Sequence, residues 1–390
     1  MKNRIFQGGE KASEIPEDLV TVKEVNSAHS LKAFIQFPFQ LYKDNPYWVP
    51  TLRSDDLNTL RRDKNPAFDF CESKYWLAYK NGRVVGRIAG IINNRHIEKW
   101  GQPYARFGWI DFVDDRQVST ALLSTVERWA QAHGLEAVHG PLGFTDLDRE
   151  GMLVEGFDEL GTLASIFNYP YYAEHLQAAG YVKDTDWVEY EILIPEKADE
   201  KIVHMAARLT RQGGLRLLTF KHKRDLLKYA DDIFELLQEA YEHLYGVTPL
   251  TRKQVDAFIK QYFGFIAPDF VPVVVDAQDK LVAFGIAMPS LSVALQKSKG
   301  RLLPFGFIHL LHALKHNNKG DLYLIAVSQE YQGKGVNAML MNRMVEVFNQ
   351  HGLKHAESNP ELEDNHRVQA QWKYFEHRQH KRRRIFIKHF

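Results

Sequence analysis

Short apolar runs alternate along the chain with longer stretches in which apolar residues recur every three to four positions, and the same succession occurs twice. In the first half, "YWLAYKNGRVVGRIAGIINNRH" (75–96) reads as two strands joined at Asn81-Gly82, because that pair supplies the positive φ angles of a tight hairpin turn. "DFVPVVVDAQDKLVAFGIAMPS" (269–290) repeats the pattern, with a polar turn from Asp276 to Lys280. Each hairpin is followed by a further strand and an amphipathic helix: "FGWIDFVDD" runs into "QVSTALLSTVERWAQAHG", and "GDLYLIAVSQEY" into "VNAMLMNRMVEVFNQHG". Both helices end at His-Gly, a C-cap signal. New strand candidates follow, "LEAVHGPL" (135–142) and "LKHAESN" (353–359), which parallel crossovers place beside the preceding strands.

The pattern predicts an α/β fold with a mixed sheet, built as two domains of like topology. "DWVEYEILI" ends at Pro195 and charged, helix-prone sequence begins there, so the joint falls between Pro195 and Gly214 and the domains are residues 1–197 and 198–390. An insert at 291–321 predicts one or two helices interrupted at Pro304 and Gly306, packed over a cleft. The alternation in "RRIFIKHF" predicts a last strand with Arg and His on an exposed face.

Composition narrows the chemistry. At 390 residues and 45% hydrophobic content the chain can bury a sizeable core. Fifty basic and 49 acidic residues nearly cancel, so no field over the whole molecule favours nucleic acid or an anionic membrane, a charged ligand must be met locally, and nucleic acid is not expected. Cys71 is alone, which excludes an intramolecular disulfide and a cysteine zinc cage, and the 17 histidines show no H-E-x-x-H spacing, so no metal is expected. The N-terminal stretch has no signal-peptide core, and no apolar run is long enough to span a bilayer; the expectation is a soluble cytoplasmic protein with no membrane partner and an unknown oligomeric state.

"VSQEYQGKGVNAMLMNRMVEVF" (327–348) carries the sharpest signal. A strand entering a glycine loop and then a helix presents backbone N–H groups at a positive helix end, where phosphate is favoured. The spacing is neither that of a P-loop nor G-x-G-x-x-G. Residues 332–337 fit Q/R-x-x-G-x-G/A except at the last position, Asn337. With this loop and the order of elements across most of its C-terminal half, the chain resembles the GCN5-related N-acetyltransferase (GNAT) family, which binds acetyl-CoA.

The resemblance implies two tandem acyl-CoA N-acyltransferase-like domains and transfer of an acyl group, in the simplest case acetyl, from acetyl-CoA or another acyl-CoA to a small-molecule amine or a peptide by direct attack. It implies donor contacts at Ile325, Ala326 and Val327 on the strand, at Gln332, Gly333, Lys334, Gly335, Val336, Asn337 and Ala338 in the loop and helix, and at Asn365, which opens a later short helix. Tyr374 is the matching candidate for protonating the leaving thiolate, with Tyr323 as competitor. Glu357 is the candidate base that keeps the attacking amine neutral, with Glu361 and Glu363 behind it. In the first half, aligning Leu122-Leu123 with Leu340-Met341 sets "DDRQVS" (114–119) opposite the glycine loop; Asp114 and Asp115 repel a diphosphate, so this copy is degenerate. The segment 140–161 offers Asp146, Asp148, Glu150 and Glu155 to a cationic amine. The same scaffold also suits a Fem-like transferase using charged tRNA, or an acyl-CoA-binding module without turnover.

Overall fold

The computed structural model describes residues 19–263 and 266–390; residues 1–18, within the stretch read for a signal peptide, lie outside them. The first half contributes strands β1 (Thr21–Glu24), β2 (Cys71–Lys80), β3 (Arg83–Asn93), β4 (Tyr104–Phe112), β5 (Ala137–Gly140), β6 (Met152–Glu155) and β7 (Val182–Leu193). The second contributes β8 (Leu215–Leu218), β9 (Val273–Asp276), β10 (Leu281–Pro289), β11 (Lys319–Val327), β12 (His355–Ser358), β13 (Glu361–Leu362) and β14 (His377–His389). Both predicted hairpins form: Asn81 and Gly82 take φ of 52° and 72°, and Asp279 takes 63° in the second turn. Both crossovers are parallel, with Tyr104 opposite Ala137 in one half and Lys319 opposite His355 in the other.

All these strands join one mixed sheet, in the order β1-β2-β3-β4-β5-β14-β7-β12-β11-β10-β9-β8, with β6 on β14 and β13 on β7. The two halves exchange their last strands. β14, the end of the chain, lies antiparallel between β5 and β7, with Phe386 opposite Gly140, whereas β7 pairs with β12, placing Ile192 opposite Ala356. The sheet therefore runs unbroken across the joint in the chain.

This position corrects the expectation of an exposed cationic face on the last strand. Lys381 and Arg383 are each 1% exposed, because β14 is central to the sheet. Their charges are met internally: Arg383 bonds to Glu189 and Lys381 to Glu357, while Arg384 holds Asp186 at 2.8 and 2.9 Å and Lys388 holds Glu127 at 3.0 Å. Glu189, Glu357 and His380 lie close enough to share a cation, but the ammonium of Lys381 already reaches both carboxylates.

The helix Arg116–Ala132 buries Val118, Leu122, Val126 and Trp129 along one stripe, the amphipathic period predicted for it. The helix Val336–Gln350 is buried on more than one side, including Ala338, Met339, Leu340 and Met341, because the helix Glu200–Arg211 covers its outer face. The insert forms two helices, Ser292–Ser298 and Gly306–Lys315. Among the described residues no helix is long and apolar enough to cross a membrane.

Candidate functional site

β11 and β12 pair only from Lys319–His355 to Leu322–Ser358; β11 then continues to Val327 while the chain turns away at Asn359. Asn359 donates its backbone N–H to the Leu322 carbonyl (3.0 Å) and its side-chain amide to the Tyr323 carbonyl (2.8 Å), which fixes the start of a gap between the strands. Tyr241 donates to the Ile325 carbonyl (3.0 Å) and Gln332 to the Val327 carbonyl (3.2 Å), so alternate residues of β11 aim their backbone at the gap. A residue's N–H lies on the same strand edge as its own carbonyl, which puts the Ile325 and Val327 N–H groups there too. Ala326 is out of phase and turns its backbone toward β10.

Gly333 and Gly335 take φ of 73° and 84°, in the left-handed region that glycine enters at no steric cost. Gly335 is the N-cap of the helix Val336–Gln350, and no side chain caps it. The Ala338 N–H closes on the Gly335 carbonyl at 2.9 Å, which leaves the N–H groups of Val336 and Asn337 at the open end with the positive end of the helix behind them. A side chain on Gly335 would lie 2.8 Å from Met205 of the covering helix, so this glycine answers to packing as well as to φ; at Gly333 the φ alone requires it. Asn337 faces the cleft, whereas Ala338 packs behind the loop against Ile202 and Met341, and the exposed Lys334 lies over the Tyr331 ring at 5.2 Å. Arg367 approaches the same loop, 3.4 Å from Gln332 Oε1. The sequence reading missed it, since only the fold brings together positions 35 apart. Asn365 caps its short helix by accepting from the Val368 N–H.

The loop and the gap open into one cleft of about 1280 Å³. From Gly333, Gly335 and Asn337 it passes Leu324 and Ile325 and reaches Trp48, Leu163 and Phe167 of the first half, walled by Phe234, Phe258 and Leu295. Asp146, Asp148 and Glu150 of the acidic segment line it. Burial pushes the carboxyl of Asp146 up to about 6, while Asp148 accepts the Phe144 and Thr145 N–H groups at 2.8 and 3.1 Å. Glu155 instead sits on β6 beside Arg382 (3.2 Å).

The catalytic candidates are sorted by geometry. The segment 366–375 shows the cleft Val368, Gln371, Trp372 and Phe375, one face of a helical turn pattern. Tyr374 is off that face, packs with Ile202, Ala338 and Met341, and does not line the cleft. Tyr323 lines the cleft, its hydroxyl 3.4 Å from Asp321, and burial followed by the Asp321 charge raises its pKa. Glu357 is buried outside the cleft lining and ion-paired to Lys381 and Lys319, with His380 at 3.4 Å. Burial pushes its carboxyl up, but Lys381, His380 and Lys319 outweigh this and hold it well below the usual carboxylate range, so it binds β12 to β14 and is a poor proton acceptor. Glu361 does line the cleft. Its oxygens accept the Trp372 indole N–H at 3.1 and 3.2 Å, and burial pushes its carboxyl up to about 8 against the Trp372 and Ser358 hydrogen bonds. Glu363 pairs with Arg382 at 2.9 Å and with Lys183.

Comparison with known proteins bears on the family and the fold. Residues 230–375 match the Acetyltransferase (GNAT) family model. Protein YghO of Escherichia coli (strain K12) is 28% identical over 336 residues, covering 84% of this chain and 83% of the relative. A bacterial ceramide synthase of Caulobacter vibrioides is 28% identical over 329 residues, covering 82% and 84%. A tandem GNAT protein from the clavulanic acid biosynthesis pathway superposes with a TM-score of 0.56 at 14% identity, over 95% of this chain and 98% of that one. The chain thus carries a domain of the GNAT acyltransferase family over residues 230–375 and folds, along nearly all of its length, as a tandem GNAT protein.

Proposed function

We propose that the protein is an N-acyltransferase that moves an acyl group from an acyl-CoA to an amine, and that at least one of the two substrates carries a long hydrocarbon chain. The observation that carries this reading is the continuity of the cleft: its 1280 Å³ exceed the ~300–1,000 Å³ of an ordinary small-ligand pocket, and a chamber in the first half, with apolar wall from Trp48, Val49, Leu163 and Phe167 beside the acidic Asp146, Asp148 and Glu150, continues from the glycine loop. An acetyl group needs no such chamber. The Caulobacter relative's name, a ceramide synthase, is in keeping with a lipid amide product.

The residues present fit a diphosphate donor. The uncapped N–H groups after Gly335, the Asn337 amide and Arg367 would hold it, and the bound acyl-CoA would supply a thioester carbonyl open to attack. The N–H groups of Ile325 and Val327 on the gap edge receive the negative charge that develops on the carbonyl oxygen. Glu361 takes the proton from the attacking amine, and a carboxyl raised to about 8 by burial is poised for that transfer near neutral pH. The new C–N bond replaces the C–S bond, and the proton removed from nitrogen is the one the departing thiolate needs, so Glu361 balances the exchange.

The test is thiol release by the full chain with acyl-CoA donors of increasing length and a long-chain primary amine. The expected result is release that needs the amine, rises with chain length on one of the two substrates and is lost in Asn337→Asp. Acyl-CoA binding with no thiol release would make the protein a binding module. Amide formation from charged tRNA, with no affinity for coenzyme A, would make it an aminoacyl transferase.

A further inference from the structure

We propose that the helical hairpin Ser292–Lys315 docks on an anionic phospholipid surface. Its outer side concentrates apolar side chains that the fold leaves in water: Leu303 is 76% and Phe305 70% exposed, and Phe307, Ile308 and Leu311 beside them are exposed too. Single exposed apolar residues are common on any surface, but five within nine positions form a patch of the kind that marks a protein or membrane contact.

The patch is held rigidly outward. Gly300 takes φ of 65° and accepts the Arg53 N–H at 3.0 Å, Gln296 donates to the carbonyls of Pro46 and Trp48 at 2.8 and 3.0 Å, and Phe307 N–H closes on the Leu302 carbonyl at 2.8 Å. The Gly300 and Gln296 bonds tie the hairpin to the first half and the Phe307 bond closes its own turn, so its apolar tip cannot fold back onto the core without losing them.

Charge identifies the occupant. From 291 to 320 the chain has no Asp or Glu, although the whole protein has 49 acidic residues against 50 basic ones. Lys297, Lys299, Arg301 and Lys315 are exposed around the apolar tip. A second copy would set this basic patch against itself across a two-fold axis, like charge on like charge. A bilayer with anionic headgroups meets both features, accepting the apolar side chains and attracting the lysines and arginine. The inner side of the same hairpin, through Leu291, Leu295 and Leu310, lines the cleft, so a docked hairpin sets the cleft wall directly above the lipid. The docking itself does not depend on which acyl donor the cleft takes.

Co-sedimentation of the full chain with vesicles tests this. Vesicles of equal phosphatidylcholine and phosphatidylglycerol should bind it about tenfold or more tightly than phosphatidylcholine alone, a difference that added salt reduces. The variant Phe305→Glu with Ile308→Glu should lose about tenfold or more of that binding while keeping its near-ultraviolet circular dichroism and its affinity for coenzyme A. Lys297→Glu with Lys315→Glu should remove the preference for phosphatidylglycerol. The proposal is overturned if mixed vesicles leave the protein in solution or if Phe305→Glu with Ile308→Glu binds them undiminished. It is also overturned if sedimentation equilibrium shows a dimer that this variant converts to monomer, which would give the patch to a second copy.

Discussion

Two helix N-termini occupy equivalent places in the halves of this molecule and meet opposite fates. In the first half, Asp115 caps the helix Arg116–Ala132: one carboxylate oxygen accepts the Gln117 N–H at 2.9 Å and the other holds Lys80 at 2.9 Å. That hydrogen bond from Lys80 keeps the Asp115 pKa below its usual range, so the cap is charged at neutral pH. In the second half Gly335 begins the helix and no side chain caps it. Both ends present the same orphan donors and the same positive dipole. The difference is where an anion comes from: the first half carries its own, and in the second the proposed acyl donor would bring it. A fold can thus retain a phosphate-binding geometry and close it with one carboxylate.

The sharpest way to separate the halves is through the chemistry assigned to the second. Glu361→Gln should lower turnover by about 10²–10⁴-fold with donor affinity unchanged. In the wild type the rate should rise with pH through about 8, because Glu361 accepts a proton only once it has lost its own, and the variant should lack that limb. A pH-rate profile identical in both would end the assignment.

Next in size is the seam that makes the halves one sheet. Glu357→Gln removes the carboxylate paired with Lys319 and leaves Lys381 only Glu189 and the Leu160 carbonyl, and it should cost about 3–5 kcal/mol in denaturant unfolding. Because the folded-state pKa of Glu357 is depressed, its contribution is complete above the ordinary carboxylate pKa and disappears as pH falls toward the folded value. Wild type and variant should therefore converge in acid; a constant gap across pH would remove the ion pairs as its cause.

Asn337→Asp then tests the open N-terminus. It is isosteric and places its carboxylate where a helix favours one, so stability should hold, while acyl-CoA affinity falls by about 100-fold through repulsion of the diphosphate. Calorimetry decides, and this change is cleaner than any at Gly335, where φ and Met205 would strain the fold as well. The smallest expected effect is in the first half: Asp115→Ala should cost about 1 kcal/mol of stability through the lost cap and leave acyl-CoA affinity untouched. A loss of affinity there would mean that the first half takes part in holding the donor.

Much of this was legible without coordinates. The turn at Asn81-Gly82, the stripe from Val118 to Trp129, the His-Gly helix ends and the glycines at 333 and 335 follow from rules that act over a few residues, so the sequence by itself determined the elements, their doubled order and the glycine loop that opens the helix Val336–Gln350. Only the tertiary structure decided that β7 and β14 change places, that the cations of β14 are buried against carboxylates, and that Arg367 nears the loop. It also separated neighbours that composition cannot: Glu361 lines the cleft while Glu357 is locked to Lys381, and Trp372 faces inward while Tyr374 does not. The reason is physical. Periodicity and turn chemistry are settled locally, whereas a carboxylate's pKa and a side chain's facing depend on strand register and on partners far away in the chain, and one residue's shift in phase reverses them.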